Sequence, residues 1–201
     1  NKLTWSTFFG ASNDDTRGHH LALNSTGELY LVGTAGTSSS VDLPNVFCSV
    51  PTTGFPLCDP GSGAWYRDND NVDVQKDVFI TRFNTNKQIT WSTFFGSSGE
   101  ESNVTSGLSE DGTIDISIDA NDRVFIFGNS VMYSAGEDDL YTTAASGVYL
   151  DPNIAGTPTT KDAFIAAFSS DNNLFWSTYF GGNSSEWGHG IVFDDATNKL
   201  Y

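Results

Sequence analysis

Positively charged residues are scarce in this chain: its 201 residues include 9 Lys and Arg against 25 Asp and Glu, for a formal net charge of −16. Phosphate backbones and anionic membrane surfaces are bound through clustered Lys and Arg. The charge therefore argues against nucleic acid and anionic membranes as partners. No stretch approaches a run of about eighteen apolar residues, the length that a membrane-spanning helix requires, so we expect no direct membrane insertion.

Cysteine is almost absent. Cys48 and Cys58 are the only two in the chain, and they lie in a segment rich in Pro, Gly and Ser. A structural zinc site takes further ligands, and no His lies near these two thiols in the sequence. A disulfide between them is the favoured interpretation and implies an oxidising compartment, whereas two free thiols are the alternative.

Aromatic residues and glycine are abundant, with 15 Phe, 7 Tyr, 5 Trp and 20 Gly. Aromatic side chains suit the half-buried surface of a sheet, and glycine suits the turns between short strands. Charged residues make up only 17% of the chain, whereas helix-rich soluble proteins usually carry more Lys and Glu. The composition therefore indicates an all-β fold.

One six-residue motif occurs three times and organises the chain. It reads Trp-Ser-Thr-Phe/Tyr-Phe-Gly and lies at residues 5–10, 91–96 and 176–181, at intervals of 86 and 85 residues. Other apolar segments recur in the same order around it. Such repetition is typical of proteins in which one supersecondary unit is used several times.

Each complete repeat contains four short apolar runs separated by turn residues, which predicts four strands. Large groups lie on both faces of these strands, so we expect other sheets to cover both faces. A four-stranded sheet stacked on copies of itself is the blade of a β-propeller. The predicted strands are 19–24, 28–34, 77–84 and 88–95 in the first repeat, and 114–119, 123–129, 162–169 and 173–180 in the second.

The order of these motifs resembles the SBBP β-propeller repeat of bacterial secreted and cell-surface proteins. The resemblance rests on Trp-Ser-Thr-Tyr-Phe-Gly-Gly at 176–182, Leu-Tyr-Leu-Val-Gly at 29–33 and Asp-Ala-Phe-Ile-Ala at 162–166, and it does not cover the long insertions. It implies a propeller and an extracellular location on the bacterial cell surface. An open stack of sheets or a β-solenoid is the alternative, since it would contain the same repeats without a central channel.

A propeller needs at least about four blades, so we expect further blades of the same polypeptide to complete the ring. The expected divisions are the last strand of a preceding blade at 1–10, a blade at 19–96 with an insertion at 35–76, a blade at 114–181 with an insertion at 130–161, and the start of another blade at 189–201.

Both insertions connect the second strand of a blade to the third, on the side where one blade leads into the next. We therefore expect the insertions and the acidic turns to crowd one rim, where loops on a rigid scaffold carry binding. Three aromatic residues there are candidates for stacking on sugar rings: Trp65, Tyr66 and Trp187. Burial as anchors that pin a long loop is the commoner use of such side chains and is the alternative.

The densest acidic segment lies in the first insertion, where Asp68, Asp70 and Asp73 are interspersed with Asn and Val. Carboxylate and amide oxygens suit Ca²⁺, which takes about six to eight oxygen ligands, although the segment is not an EF-hand loop. Ordinary solvated loop residues are the alternative. His19 and His189 share a repeat position, for which packing is favoured over a metal-binding or catalytic role.

These observations favour a non-catalytic extracellular module for binding or structure, a scaffold or adhesin whose loop-bearing rim meets protein or glycan. The alternative is a hydrolase or lyase that acts on polysaccharide through acidic residues at the mouth of the channel. The sequence contains neither a Gly-x-Ser-x-Gly nor a His-Glu-x-x-His motif, and no pair of its acidic residues stands out. A purely spacing role in a surface fibre is a third hypothesis.

Overall fold

The computed structural model describes residues 2–10, 15–36, 48, 55–67, 77–96, 114–131, 146–153 and 160–201. Within these ranges, all regular secondary structure consists of β-strands. The predicted all-β fold is therefore confirmed for this part of the chain.

Two four-stranded antiparallel sheets and a short hairpin contain the strands. The first sheet has the order β1 (Asp15–Leu23), β2 (Leu29–Gly36), β3 (Asp77–Phe83), β4 (Ile89–Phe95), and the second the order β5 (Asp115–Ile118), β6 (Val124–Val131), β7 (Lys161–Phe168), β8 (Leu174–Phe180). The hairpin pairs β9 (Phe193–Asp194) with β10 (Lys199–Leu200). All eight predicted strands are present, with ends that differ from the prediction by at most four residues.

A further strand, the last of a preceding blade, is predicted at residues 1–10. Residues 2–10 are not assigned to a strand in the structure. A strand exists through its hydrogen bonds to a neighbour, and none of the described strands pairs with this segment.

The short β3–β4 and β7–β8 turns have matching backbone geometry. Lys87 and Asn172 occupy the same position in the β3–β4 and β7–β8 turns, and both have positive φ angles, 69° and 63°. Each of these hairpins also has a register irregularity just before its turn, at Arg82/Phe83 and at Ala167/Phe168. The repeat in sequence is therefore a repeat in backbone geometry.

The main core lies between the two sheets. It consists of one face of the first sheet and the facing side of the second. Each sheet therefore covers one face of the other. Full burial of a large apolar side chain contributes about 1.5–3 kcal/mol. The buried members are Tyr30, Val32, Val78, Ile80, Trp91 and Phe95 from the first sheet, and Ile114, Ile116, Val124, Ile126, Phe164, Ala166, Phe168 and Tyr179 from the second unit.

A glycine in the second strand of each sheet makes room for a phenylalanine of the third. A Cβ atom on Gly33 would lie 2.8 Å from the ring of Phe79, and one on Gly128 would lie 2.7 Å from the ring of Phe164. Real Cβ atoms do not approach so closely, and glycine permits this close approach. Packing against Phe79 therefore explains the glycine that ends the Leu-Tyr-Leu-Val-Gly segment.

The outer faces of the two sheets are covered by the chain segments at either end of the described structure. Phe9, with Phe55 and Leu57 of the first insertion, packs on the outer face of the first sheet. The β9–β10 hairpin packs on the outer face of the second sheet through Phe193 and Leu200. The layers therefore follow the order residues 2–10, first sheet, second sheet, β9–β10 hairpin.

Candidate functional site

The strand ends that carry both insertions lie on one side of the stack. In each sheet the end of the second strand, the start of the third and the end of the fourth are at one edge. At the opposite edge, the β1–β2 turn contacts the β5–β6 turn, where Asp122 accepts hydrogen bonds from Ser25. Since the turns of both sheets meet on one side, the insertions leave from the other, which we call the insertion rim.

One described segment of each insertion has the same contacts as its counterpart in the other insertion, although these segments lie outside the motifs that repeat in the sequence. We call residues 64–67 the first strap and residues 148–151 the second strap. Trp91 Nε1 donates to the Trp65 carbonyl in the first strap at 2.8 Å. Trp176 Nε1 donates to the Tyr149 carbonyl in the second strap at 3.1 Å. The tryptophans of the second and third Trp-Ser-Thr motifs therefore hold the two straps to β4 and β8.

The threonine of the same motif makes a second matched contact. Thr93 Oγ1 accepts a hydrogen bond from Arg67 N at 2.8 Å, and Thr178 Oγ1 accepts one from Asp151 N at 2.7 Å. The backbone carbonyls of Arg67 and Asp151 in turn accept from the fourth strands. Tethered straps cover the edge that a four-stranded sheet would otherwise leave open.

A weak sequence signal for the straps exists. Ser62-Gly63 and Ser146-Gly147 directly precede them, 84 residues apart. Both glycines have positive φ angles, 82° and 80°, which glycine adopts readily. The pattern Ser-Gly-Ala/Val-Trp/Tyr could therefore have located the straps, but four residues within two long insertions of different length carry little weight alone.

Trp65 and Tyr66, two of the predicted sugar-stacking residues, belong to the first strap, and both are partly buried. The Trp65 ring packs against Phe95 with centroids 5.9 Å apart, and its Nε1 donates to the Phe94 carbonyl at 3.2 Å. These contacts show Trp65 as a partly buried anchor of the strap, and sugar stacking by Tyr66 stays a prediction.

Trp187 is the most exposed of the three stacking candidates, with 47% of its surface accessible. The Lys161 ammonium lies 4.4 Å from its ring centroid, a cation–π contact. The acidic turn beside it is closed by Glu186, which accepts from Gly182 N and donates its own N–H to the Lys161 carbonyl, both at 2.8 Å. Trp187 is thus an exposed aromatic ring held in place on the insertion rim.

The predicted disulfide between Cys48 and Cys58 is present, with Cα atoms 4.8 Å apart. Cys58 also exchanges two backbone hydrogen bonds with Ser92 of β4, each 2.9 Å long. The disulfide thereby fastens another part of the first insertion to the outer edge of the first sheet.

The predicted calcium ligands Asp68, Asp70 and Asp73 lie outside the described residues, so calcium binding there stays a prediction. Within the described ranges, no three His, Cys, Asp or Glu side chains are grouped as a metal ion would require. Asp77, the first residue of β3, and Asp162, the second residue of β7, occupy corresponding repeat positions and are fully buried.

Two histidines of β1 contact the start of β5, the first strand of the second sheet. His19 Nδ1 accepts a hydrogen bond from Ile114 N at 2.8 Å, and His20 Nδ1 lies 2.7 Å from Asp115 Oδ1. The other Asp115 oxygen accepts from Ile191 N at 2.8 Å. Asp115 therefore contacts residues on both sides of its sheet. The His19 contact agrees with the packing interpretation for that residue, whereas His189, at the corresponding repeat position, is exposed.

Two ionisable groups in the first sheet have displaced pKa values. Burial raises the pKa of Tyr30 to about 12. For Glu28, burial acts to raise the pKa, but hydrogen bonds from Arg82 and Asn24 and the charge of Arg82 outweigh it, so the pKa of Glu28 is lowered. The Glu28–Arg82 ion pair lies beside the Tyr30 ring, over which the guanidinium sits at 5.7 Å.

Comparison with known proteins leaves the family open, because neither a protein-family model nor a curated protein matches the chain. In the part of the chain that the structure describes, no helix has the length and apolarity needed to cross a membrane.

Proposed function

We propose that the chain is a run of consecutive blades of an SBBP-type β-propeller. The observation that supports this best is a set of aromatic contacts that recurs from unit to unit. Trp91 packs against Phe168 of the second sheet with centroids 5.5 Å apart and an interplanar angle of 63°. Trp5 packs against Phe83 of the first sheet at 5.8 Å and 65°. The two pairs occupy corresponding positions of the repeat.

The phenylalanines that precede the glycine in the first two Trp-Ser-Thr motifs, Phe9 and Phe95, make matching sets of contacts. These are Phe95 with Phe164 at 5.8 Å and Phe168 at 5.7 Å, and Phe9 with Phe79 at 5.2 Å and Phe83 at 6.1 Å. Residues 2–10 thus stack on the first sheet as β4 stacks on the second. Face-to-face packing of successive sheets is the arrangement of propeller blades.

The turns opposite the insertion rim also connect the units in a repeated way. Asp122 Oδ1 accepts from Ser25 N at 2.7 Å, and Asp195 Oδ1 accepts from Ala120 N at 2.9 Å. Ser25 and Ala120 are corresponding turn residues. An open stack would contain the same contacts, and the resemblance to the SBBP repeat is what favours a ring.

For this architecture we propose a non-catalytic extracellular scaffold whose insertion rim binds protein or glycan at the bacterial cell surface. The straps and the disulfide support this, because they fix the bases of the insertions to a rigid stack, and loops on rigid scaffolds are common binding sites. The exposed Trp187 ring offers an aromatic surface on that rim. The disulfide is also consistent with an oxidising, extracellular setting.

A glycan array and an assay for released reducing sugar test this function on the oxidised chain. We expect binding without release, and Trp187→Ala to reduce binding at least about tenfold, equivalent to the loss of one good aromatic contact. Phe8→Ala is the control, because Phe8 is an exposed aromatic residue on a different segment. Release of reducing ends would favour the hydrolase or lyase alternative, and a folded chain that binds no glycan would exclude glycan as the ligand.

A further inference from the structure

We propose that the contact between β1 and the start of β5, which we call the histidine joint, is a pH-sensitive switch. Acidification releases Ile114 from His19, while Asp115 stays bound to His20. The two histidines are adjacent in the sequence, yet only one of their contacts survives protonation. The joint consists of contacts between the two described sheets, so it functions in the same way in a closed ring and in an open stack.

A β-bulge directs both imidazoles towards the second sheet. The register of β1 against β2 shifts between Gly18 and His20, which leaves His19 as the extra residue. Regular pleating would turn two neighbouring residues to opposite faces, whereas a bulge re-aims a side chain. His19 and His20 therefore contact consecutive residues of the second unit, Ile114 and Asp115.

The His19 contact requires a neutral imidazole. Ile114 N donates a hydrogen bond to His19 Nδ1 at 2.8 Å. In the imidazolium ion both ring nitrogens carry a proton and neither can accept. Ile114 is 1% accessible and His19 is partly buried, so water does not readily replace the lost acceptor, and an unpaired buried N–H is unfavourable. Protonation of His19 therefore breaks this contact.

The His20 contact survives protonation and gains a charge. His20 Nδ1 lies 2.7 Å from Asp115 Oδ1. A neutral imidazole can donate from Nδ1 to a carboxylate, and the imidazolium ion adds the attraction of opposite charges. Asp115 is also held in place by the backbone, because it accepts hydrogen bonds from Ile116 N and Ile191 N at 2.8 Å each. Acidification therefore changes the joint from two contacts to one and does not separate the sheets.

The charged groups around His19 agree with this direction. Asp115 is already engaged by His20 and by the backbone. Protonated His20 places a second positive charge beside His19, and like charges repel. Burial raises the pKa of Tyr30 to about 12, so this residue stays uncharged where histidine titrates. In the part of the chain that the structure describes, the titratable or charged side chains on the elements around His19 are Arg17 and His20 of β1, Tyr30 of β2, Asp115 of β5 and His189 of the segment before Ile191.

The amide of Ile114 reports the state of the joint. Its protection factor against hydrogen exchange is measured by NMR at about pH 7.5 and about pH 5, on either side of the usual histidine titration. We expect protection of Ile114 to fall at least about fivefold at the lower pH, as for the loss of one hydrogen bond. Ile80, which is fully buried in β3, should change by less than about twofold. Unchanged protection of Ile114 would overturn the proposal, and so would an equal fall at Ile80, which would indicate loss of the whole fold.

His19→Asn and His20→Asn form a matched pair of variants. The asparagine amide can accept a hydrogen bond in place of His19 and donate one in place of His20, and it does not titrate. His19→Asn should keep Ile114 protected at both pH values, whereas His20→Asn should leave the fall intact. The opposite pattern would assign the response to the His20–Asp115 pair and refute the switch.

The nitrogen chemical shifts of the His19 ring give a measurement that needs no variant. At neutral pH we expect Nδ1 to be the nitrogen without a proton, because it accepts from Ile114 N. At about pH 5, where histidine is usually charged, both nitrogens should carry a proton. A proton on Nδ1 at neutral pH would exclude the contact on which the switch depends.

Discussion

Phe95→Ala and Phe180→Ala form a matched pair that tests how far stability depends on the stacking of units. Both residues are the fifth of the same six-residue motif, but Phe95 is fully buried and Phe180 is 63% accessible. The Phe95 ring lies between Phe164, Phe168 and Trp65, with centroids 5.7–5.9 Å away. Its removal leaves a cavity between the two sheets, for which about 3–5 kcal/mol is the usual loss.

The same truncation at Phe180 removes a ring that is mostly in water, so we expect a loss below about 1 kcal/mol. For a chain of this size, 1 kcal/mol corresponds to a shift of about 2–4 °C in Tm. Phe95→Ala should therefore lower Tm by about 6–20 °C and Phe180→Ala by less than about 4 °C. Thermal and urea unfolding followed by circular dichroism measure both. Equal losses of stability in the two variants would refute the reasoning. They would mean that local sequence, and not the neighbouring sheet, sets how much each phenylalanine contributes to the free energy of unfolding.

Three further predictions concern the strap, the disulfide and the buried tyrosine. Trp91→Phe removes the hydrogen bond to the Trp65 carbonyl and part of a fully buried ring, so it should cost at least about 1 kcal/mol. Amide exchange in the first strap should become faster, and unchanged exchange would show that the strap is held by other contacts. Reduction of Cys48–Cys58, which closes a loop with a sequence separation of 10, should lower the free energy of unfolding by about 2–3 kcal/mol in urea, and identical midpoints with and without reductant would contradict this. Burial raises the pKa of Tyr30 from 10.0 to about 12. The contribution of Tyr30 to the free energy of unfolding is therefore complete below pH 10 and is lost as pH rises towards about 12. Tyr30→Phe should therefore flatten the decline in stability over that range, and an unchanged profile would exclude Tyr30 as its source.

The positions of the strands could be predicted because the local sequence encodes each strand. A run of apolar and β-branched residues ending in Asn, Asp or Gly defines a strand and its turn, and the two repeats reinforce each other. Gly33 and Gly128 also recur at the same position of the repeat, and each leaves space for a phenylalanine one strand away. The pairing of Cys48 with Cys58 followed from there being no other cysteine in the chain.

The straps could not be predicted with the same assurance because the contacts that form them involve backbone carbonyls. The carbonyls of Trp65 and Tyr149 accept the tryptophan N–H groups, and any residue carries such a group. Only the fold brings these segments of two unlike insertions to the same strand edge. That placement also decided that Trp65 packs inward while Trp187 stays on the surface.

The sequence by itself determined that one four-stranded unit is used repeatedly, because its strands, turns and Trp-Ser-Thr motif are encoded within each unit. Only the tertiary structure decided what each copy of a residue does. Phe95 and Phe180 have the same motif and the same strand position, yet one is buried and the other exposed. The reason is that burial depends on the next sheet in the stack, and the apolar area removed from water there sets the energy of each contact.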